Sequence, residues 1–331
     1  MELPSRVVAL GGGTGLPLVL RGLREVLGAS GRDTITAVVT MSDDGGSSGR
    51  LRRSRGLPPP GDVRNCLVAL SEAEDLLAGL FQHRYEGVAE LGGHSLGNLI
   101  LAALAEQTGS FLKAVEVSSE VLRTTGRILP ATLDEVILEA EIAGGFDIIG
   151  ESAIGECPKP IRRVRLNPSS ARATPGVLDA IVASDLIVLG PGSLFTSILP
   201  NLLIDGMVDA IRASSAPCVL VGNLVSEHGE AAGLGLTDHL DIIHRHVGGT
   251  IVDILLCHDG EIDPSTRERY REEGAVPLAA PESDHDGVQI VRRMLASATR
   301  KLRHDSCCTA EGLLDAWRAL RNPREWGQTN E

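Results

Sequence analysis

The chain has 331 residues, enough to bury a sizeable core as one large α/β domain or two small ones. A formal net charge of -13 with only 2% aromatics excludes nucleic acid and anionic membrane surfaces as partners, since those need clustered Lys and Arg or stacking platforms. No segment reaches the roughly 20 apolar residues of a membrane span, and no charged-then-apolar leader precedes Arg6, so a cytoplasmic location is expected.

In chain order, short apolar runs predict buried parallel strands at Arg6–Leu10, Thr34–Met41, Leu186–Leu189, Pro217–Gly222 and Ile251–Cys257. Helices are predicted between them at Leu16–Leu27, Pro175–Ala183, Ile204–Ala213 and Thr237–Val247. In the first of these, Leu16, Val19, Leu20, Leu23 and Leu27 keep the spacing of one buried face. Residues 62–119 read as a helical insertion, and Asp134–Ala143 with Ile161–Leu166 as alternating, antiparallel strands. Near the end, Leu313, Leu314, Trp317 and Leu320 share a predicted helix face, and residues 321–331 form a polar tail expected to be disordered. The six cysteines have neither a CxxC pair nor metal-ligand spacing, and most sit among apolar residues, where a reduced cysteine acts as a small hydrophobe. His239, His244 and His246 do not share one helix face and are expected to be solvated.

Two glycine turns carry the strongest chemical signal. Gly11-Gly-Gly-Thr-Gly15 and Gly190-Pro-Gly-Ser193 each end an apolar strand and open a helix. Glycine lets a backbone approach an anion, and a helix N-terminus supplies unpaired N–H groups, so both turns suit a phosphate or pyrophosphate. The two are expected side by side at the carboxyl edge of one sheet, where an open α/β sheet binds ligands. The second predicted strand runs into Asp43 and Asp44. Paired carboxylates there suit a hard cation such as Mg²⁺, and equally suit turn capping. An NAD-binding unit would want GxGxxG rather than GGGTG. Asp62 and Ser95 start helices as good N-caps, while Arg64, His94 and Asn98 offer more polar equipment than a cap needs, Arg64 as a partner for phosphate.

The segments GGGTGL, TMSDDGGSSGRLR, PPGDVRNCL, GGHSLGNLIL and GPGSLFTSILPNLL, in this order, resemble the YvcK-type gluconeogenesis factor family, which is related to the 2-phospho-L-lactate transferases (CofD). The likeness runs from about Arg6 to about Arg303. It implies a Rossmann-related three-layer α/β/α fold, CofD-like, with a mostly parallel sheet, as one domain over residues 1–320. It also implies a regulatory protein needed for growth and cell shape under gluconeogenic conditions, binding a UDP-sugar such as UDP-N-acetylglucosamine (UDP-GlcNAc), with no established catalysis. A regulatory protein partner and a homodimer go with that reading. The transferase branch instead implies Mg²⁺-dependent phospholactyl transfer from a nucleoside diphosphate donor. By this resemblance Gly12, Gly13, Thr14, Gly192, Ser193 and Leu194 line the diphosphate. Asn223, Tyr270 and Arg303 face the nucleoside or sugar, and Asp44 and Asp62 mark the metal position. The family's usual residues after Asn223 are replaced here by Ser226-Glu-His-Gly-Glu-Ala231, which leaves that loop's contacts in doubt.

Overall fold

The computed structural model describes residues 2–28, 34–73, 75–87, 91–226, 229–272, 274–296 and 302–321. The strands described are β1 (Val7–Gly11), β2 (Ile35–Val39), β3 (Arg127–Pro130), β4 (Ile137–Ile142), β5 (Asp147–Ile149), β6 (Ile161–Asn167), β7 (Leu186–Leu189), β8 (Cys218–Val221), β9 (Ile254–His258) and β10 (Gln289–Arg293). Seven of them form one sheet in the order β10-β9-β8-β7-β1-β2-β3, and every neighbouring pair is parallel. The chain winds outward from β1 to β3, then returns to the other flank of β1 at β7 and continues to β10. The order reverses between β1 and β7, which is where such a sheet opens a crevice at its carboxyl edge.

Period-two alternation divides the sheet's side chains between two cores. Val8, Leu10, Val38, Leu189, Leu220 and Leu255 point to one face, with Ile181, Leu199, Met207, Leu240 and Ile243 from the covering helices. Val7, Ala9, Ala37, Val39, Val188, Val221 and Leu256 point to the other, against Leu16, Leu20, Leu67, Leu101, Leu313 and Trp317. Both faces are thus covered, which is why these strands read as continuous aliphatic runs. This is the three-layer α/β/α arrangement expected from the sequence. The smaller sheet, β5-β4-β6, is antiparallel and contributes Leu138, Ala140, Val164 and Leu166 to the first core.

Between β2 and β3 run helices Gly46–Arg55, Gly61–Ala69, Asp75–Gln82, Leu96–Thr108 and Phe111–Leu122. The helix after the first turn, Gly15–Leu27, buries Leu16, Val19, Leu20, Leu23 and Leu27 as its spacing predicts. It packs on the C-terminal helix Ser306–Arg321. A Cβ at Gly22 would collide with the Ser306 carbonyl oxygen, so the two backbones meet at that glycine.

Several expectations are corrected. Strands β3 and β10 have no sequence signal: the first is four residues ending in Pro130, and the second is an edge strand with Val291 as its buried residue. Leu320 is exposed rather than on the buried face of its helix. The histidines of helix Leu236–Val247 are not solvated: His239 is buried, and His246 accepts a hydrogen bond from Val164 N–H at 3.0 Å. The tail beyond Arg321 lies outside the described residues.

Candidate ligand-binding site

The two glycine turns meet at the switch point. Leu10 of β1 lies in register with Leu189 of β7, and Gly190 N–H donates to the Leu10 carbonyl at 2.9 Å. Glycine is needed twice in the first turn: a Cβ on Gly15 would strike the Pro191 carbonyl of the second turn, and one on Gly12 would strike the Thr40 side chain and meet Asp62 Oδ2 at 2.8 Å. Gly13 has φ +60°, which an L side chain adopts only with strain. Helix Gly15–Leu27 begins here with Thr14 at its N-cap, no side-chain cap and no acidic residue in its first turn. Its unsatisfied N–H groups therefore leave partial positive charge at the crevice.

A cleft of about 300 Å³ opens above this junction. Thr14, Gly15, Pro191 and Gly192 form its floor, Leu18, Leu224 and Leu302 give it apolar walls, and Asn223, Arg303 and His304 supply polar groups. Thus four of the nine ligand-binding residues expected from the sequence, Thr14, Gly192, Asn223 and Arg303, line one cavity. Asn223 holds the turn as well as lining the cleft. Its Oδ1 accepts from Gly192 N–H and its Nδ2 donates to the Gly192 carbonyl, both at 3.0 Å. Arg303 is exposed and makes no ion pair or hydrogen bond among the described residues, so its charge is available. Tyr270 stands behind this wall, where its hydroxyl oxygen accepts from Leu302 N–H at 2.9 Å. That bond fixes the segment carrying Arg303. His304 donates from Nε2 to the Gly222 carbonyl at 3.1 Å if neutral, and burial pushes its pKa down to about 4.

The remaining expected residues serve the turns. Ser193 Oγ accepts from Thr196 N–H at 3.0 Å, capping the wide turn Leu194–Ile198, and donates to Glu230 Oε1. Leu194 is buried in the core, so only its backbone can face a ligand. Glu230 is a residue that sequence reasoning passed over, because it belongs to the loop that departs from the family pattern. Here it is buried and bonded to the second turn.

The two aspartates have different surroundings. Asp62 accepts from Gly13 N–H at 2.7 Å, and its pKa is pushed up to about 6, chiefly by burial and also by Asp43. Asp44 is fully occupied: Oδ2 accepts from Glu151 N–H at 3.0 Å, and Oδ1 from Ser152 N–H at 3.0 Å and Ser152 Oγ at 2.8 Å. Asp44 therefore caps the short helix Glu151–Gly155. Glu151 is a second unexpected member of the site. Burial and the charges of Asp43, Asp44 and Asp62 push it up to about 7. The sequence signal was only an acid at a Gly150-led helix start. For a hard cation beside the first turn, Asp62 and Asp43 are oxygen donors of the right kind, whereas Asp44 has both oxygens engaged.

Arg64 corrects the sequence reading. Its guanidinium is buried and directed at Ser95, Asn98 and Asn65, so it holds the insertion together instead of reaching a phosphate. His94 joins the same interior network, with Nδ1 2.9 Å from Ser47 Oγ and Nε2 accepting from Arg50 at 3.1 Å.

The family model described as 2-phospho-L-lactate transferase CofD matches residues 7–296. The chain belongs to the CofD family. Two relatives named gluconeogenesis factor extend the likeness. The protein from Halalkalibacterium halodurans is 43% identical over 93% of this chain and 95% of its own, and that from Bacillus subtilis is 40% identical over 94% and 97%. A crystal structure of a UPF0052 family protein from Bacillus halodurans superposes with a TM-score of 0.88 at 43% identity, covering 94% of this chain and 99% of that one. Within this CofD-family fold the switch-point cleft is bounded by both glycine turns, as the sequence expectation required.

Proposed function

We propose that the protein binds a nucleotide sugar of the UDP-GlcNAc kind at the switch-point cleft and acts as a regulator under gluconeogenic conditions, through a protein partner. The observation that carries this reading is the junction of a helix N-terminus that has no side-chain cap with Arg303, which is unpaired among the described residues, across one cleft. The first suits a diphosphate and the second a phosphate or sugar oxygen. The apolar wall of Leu18, Leu224 and Leu302 suits the face of a pyrimidine. Relatives named gluconeogenesis factor support the physiological half of the reading.

A second reading, Mg²⁺-assisted transfer from a nucleoside diphosphate donor, is favoured by the acids alone. Asp43, Asp62 and Glu151 crowd the first turn: the charge of Asp43 helps raise the pKa of Asp62, and the charges of Asp43 and Asp62 help raise that of Glu151. A diphosphate entering there meets negative charge, which a divalent cation held by Asp62 and Asp43 would offset.

A thermal-shift panel of UDP-GlcNAc, UDP-glucose, GDP and NAD, each with Mg²⁺ and with chelator, tests both readings. A ligand at 100 times its dissociation constant stabilises the fold by about 2.7 kcal/mol, which moves the melting temperature visibly. Arg303→Ala should weaken UDP-GlcNAc about tenfold or more while leaving the unliganded melt unchanged, because the residue is exposed. If no UDP-sugar shifts the melt, the binding proposal fails. Turnover of a nucleotide donor that disappears in Asp62→Asn would replace the regulator with the enzyme.

A further inference from the structure

Away from the cleft, helix Leu236–Val247 carries Asp241 and His244 three residues apart, so both lie on one side of it. The turn before β10 brings His285 and Asp286 to them. Asp241, His285 and Asp286 each offer a donor atom, and these atoms all lie within 4.8 Å of one another. His285 Nε2 is 2.8 Å from Asp241 Oδ1. His244 lies near them but outside that group of donors. Its Nε2 is shut off from solvent and has no hydrogen-bond partner among the described residues.

We propose that Asp241, His285 and Asp286 bind one divalent first-row cation of the Zn²⁺ type, with solvent completing its coordination. Imidazole nitrogen mixed with carboxylate oxygen is a donor set for Zn²⁺ and its neighbours, whereas Mg²⁺ and Ca²⁺ prefer oxygen throughout. The His285–Asp241 contact fits a proton held between nitrogen and oxygen. A tetrahedral ion with bonds near 2.0–2.1 Å needs its donors about 3.3 Å apart, so the 2.8 Å His285–Asp241 pair opens by roughly half an ångström and the other separations, all within 4.8 Å, adjust to the same spacing. The Nε2 proton then leaves to solvent as the cation takes its place. A plain surface ion pair accounts for Asp241 and His285, but does not require the approach of Asp286. The cation would tie the helix that follows the Glu230 loop to the turn that starts β10. In sequence these ligands are split between two distant segments, and the helix by itself does not present a ligand set.

The test uses the full chain, freed of metal by chelator and titrated with Co²⁺. Visible d–d absorption follows binding, Zn²⁺ competition follows displacement, and elemental analysis after desalting counts the bound metal. One equivalent per chain is expected. His285→Ala should abolish it, and Asp286→Asn should weaken it roughly ten- to a hundredfold. His239→Leu, on the same helix but facing the core, should leave it unchanged. Asp286 is exposed, so its variant keeps the test decisive should His285→Ala fail to fold. Lack of a saturable one-equivalent site, or a site that survives either substitution at full affinity, would overturn the proposal.

Discussion

Two histidines, His239 buried and His304 half-buried, make the stability of this protein sensitive to acid in a calculable way. Burial depresses His239 and His304 to about 4 in the fold, against 6.5 for the free side chain. A lowered folded pKa gives stability that is complete above pH 6.5 and is lost as pH falls towards 4, because the unfolded chain takes up protons that the fold refuses. At pH 5 each histidine costs about 2 kcal/mol relative to pH 8, from the ratio of the two binding polynomials at 1.36 kcal/mol per pKa unit. Asp62 and Glu151 act in the opposite sense. Their folded pKa values are raised to about 6 and about 7, so they destabilise the fold as pH rises and relieve it as pH falls. The wild-type profile is the net of these contributions, and the decisive quantity is a difference between variants. Urea unfolding of wild type and His239→Leu at pH 8 and pH 5 isolates it. The variant should lose about 2 kcal/mol less than wild type over that interval. At pH 8 it should be at least as stable, since His239 Nε2 is buried with no hydrogen-bond partner among the described residues. Equal acid losses in the two proteins would refute the assignment of a neutral, buried His239.

Other substitutions probe the cleft. Gly13→Val, at φ +60°, should cost about 1–2 kcal/mol from backbone strain and remove nucleotide binding in a calorimetric titration; retained binding would make the turn structural only. Tyr270→Phe deletes the acceptor for Leu302 N–H and should lower stability by about 1 kcal/mol. If that bond positions Arg303, the same variant should also weaken UDP-GlcNAc, and unchanged affinity would disconnect Tyr270 from the site. Asp44→Ala should cost about 1–2 kcal/mol through lost capping of helix Glu151–Gly155, seen in the melt, and should leave any Mg²⁺ dependence of ligand binding in place. Asp62→Asn should abolish that dependence, and the reverse pattern would reassign the two aspartates.

Residue pattern alone reached much of the architecture. The central strands are aliphatic runs because both faces of the sheet are covered, and burial leaves a period-free signature. The first helix was legible because its apolar spacing matches 3.6 residues per turn on one buried face. Both glycine turns were legible because close backbone approach admits no side chain, as the collision at Gly15 demonstrates. Strand β3 was not legible, since four residues ending in proline carry no period.

The site divides in the same way, for a physical reason. A sequence determines where the backbone needs glycine, where a helix starts and which runs must be buried, since those depend on neighbours along the chain. It does not determine which partner a polar side chain meets across the fold. Asp44 and Asp62 look alike in sequence, yet one caps a helix more than a hundred residues later and the other holds the Gly13 amide. Arg64 looks like a phosphate ligand until the fold encloses it with Ser95 and Asn98. Glu151 and Glu230 gain their places only because the carboxyl ends of the strands bring distant loops together. Hydrogen bonds and charge effects are short-ranged in space and indifferent to separation along the chain, so tertiary structure alone settled those roles.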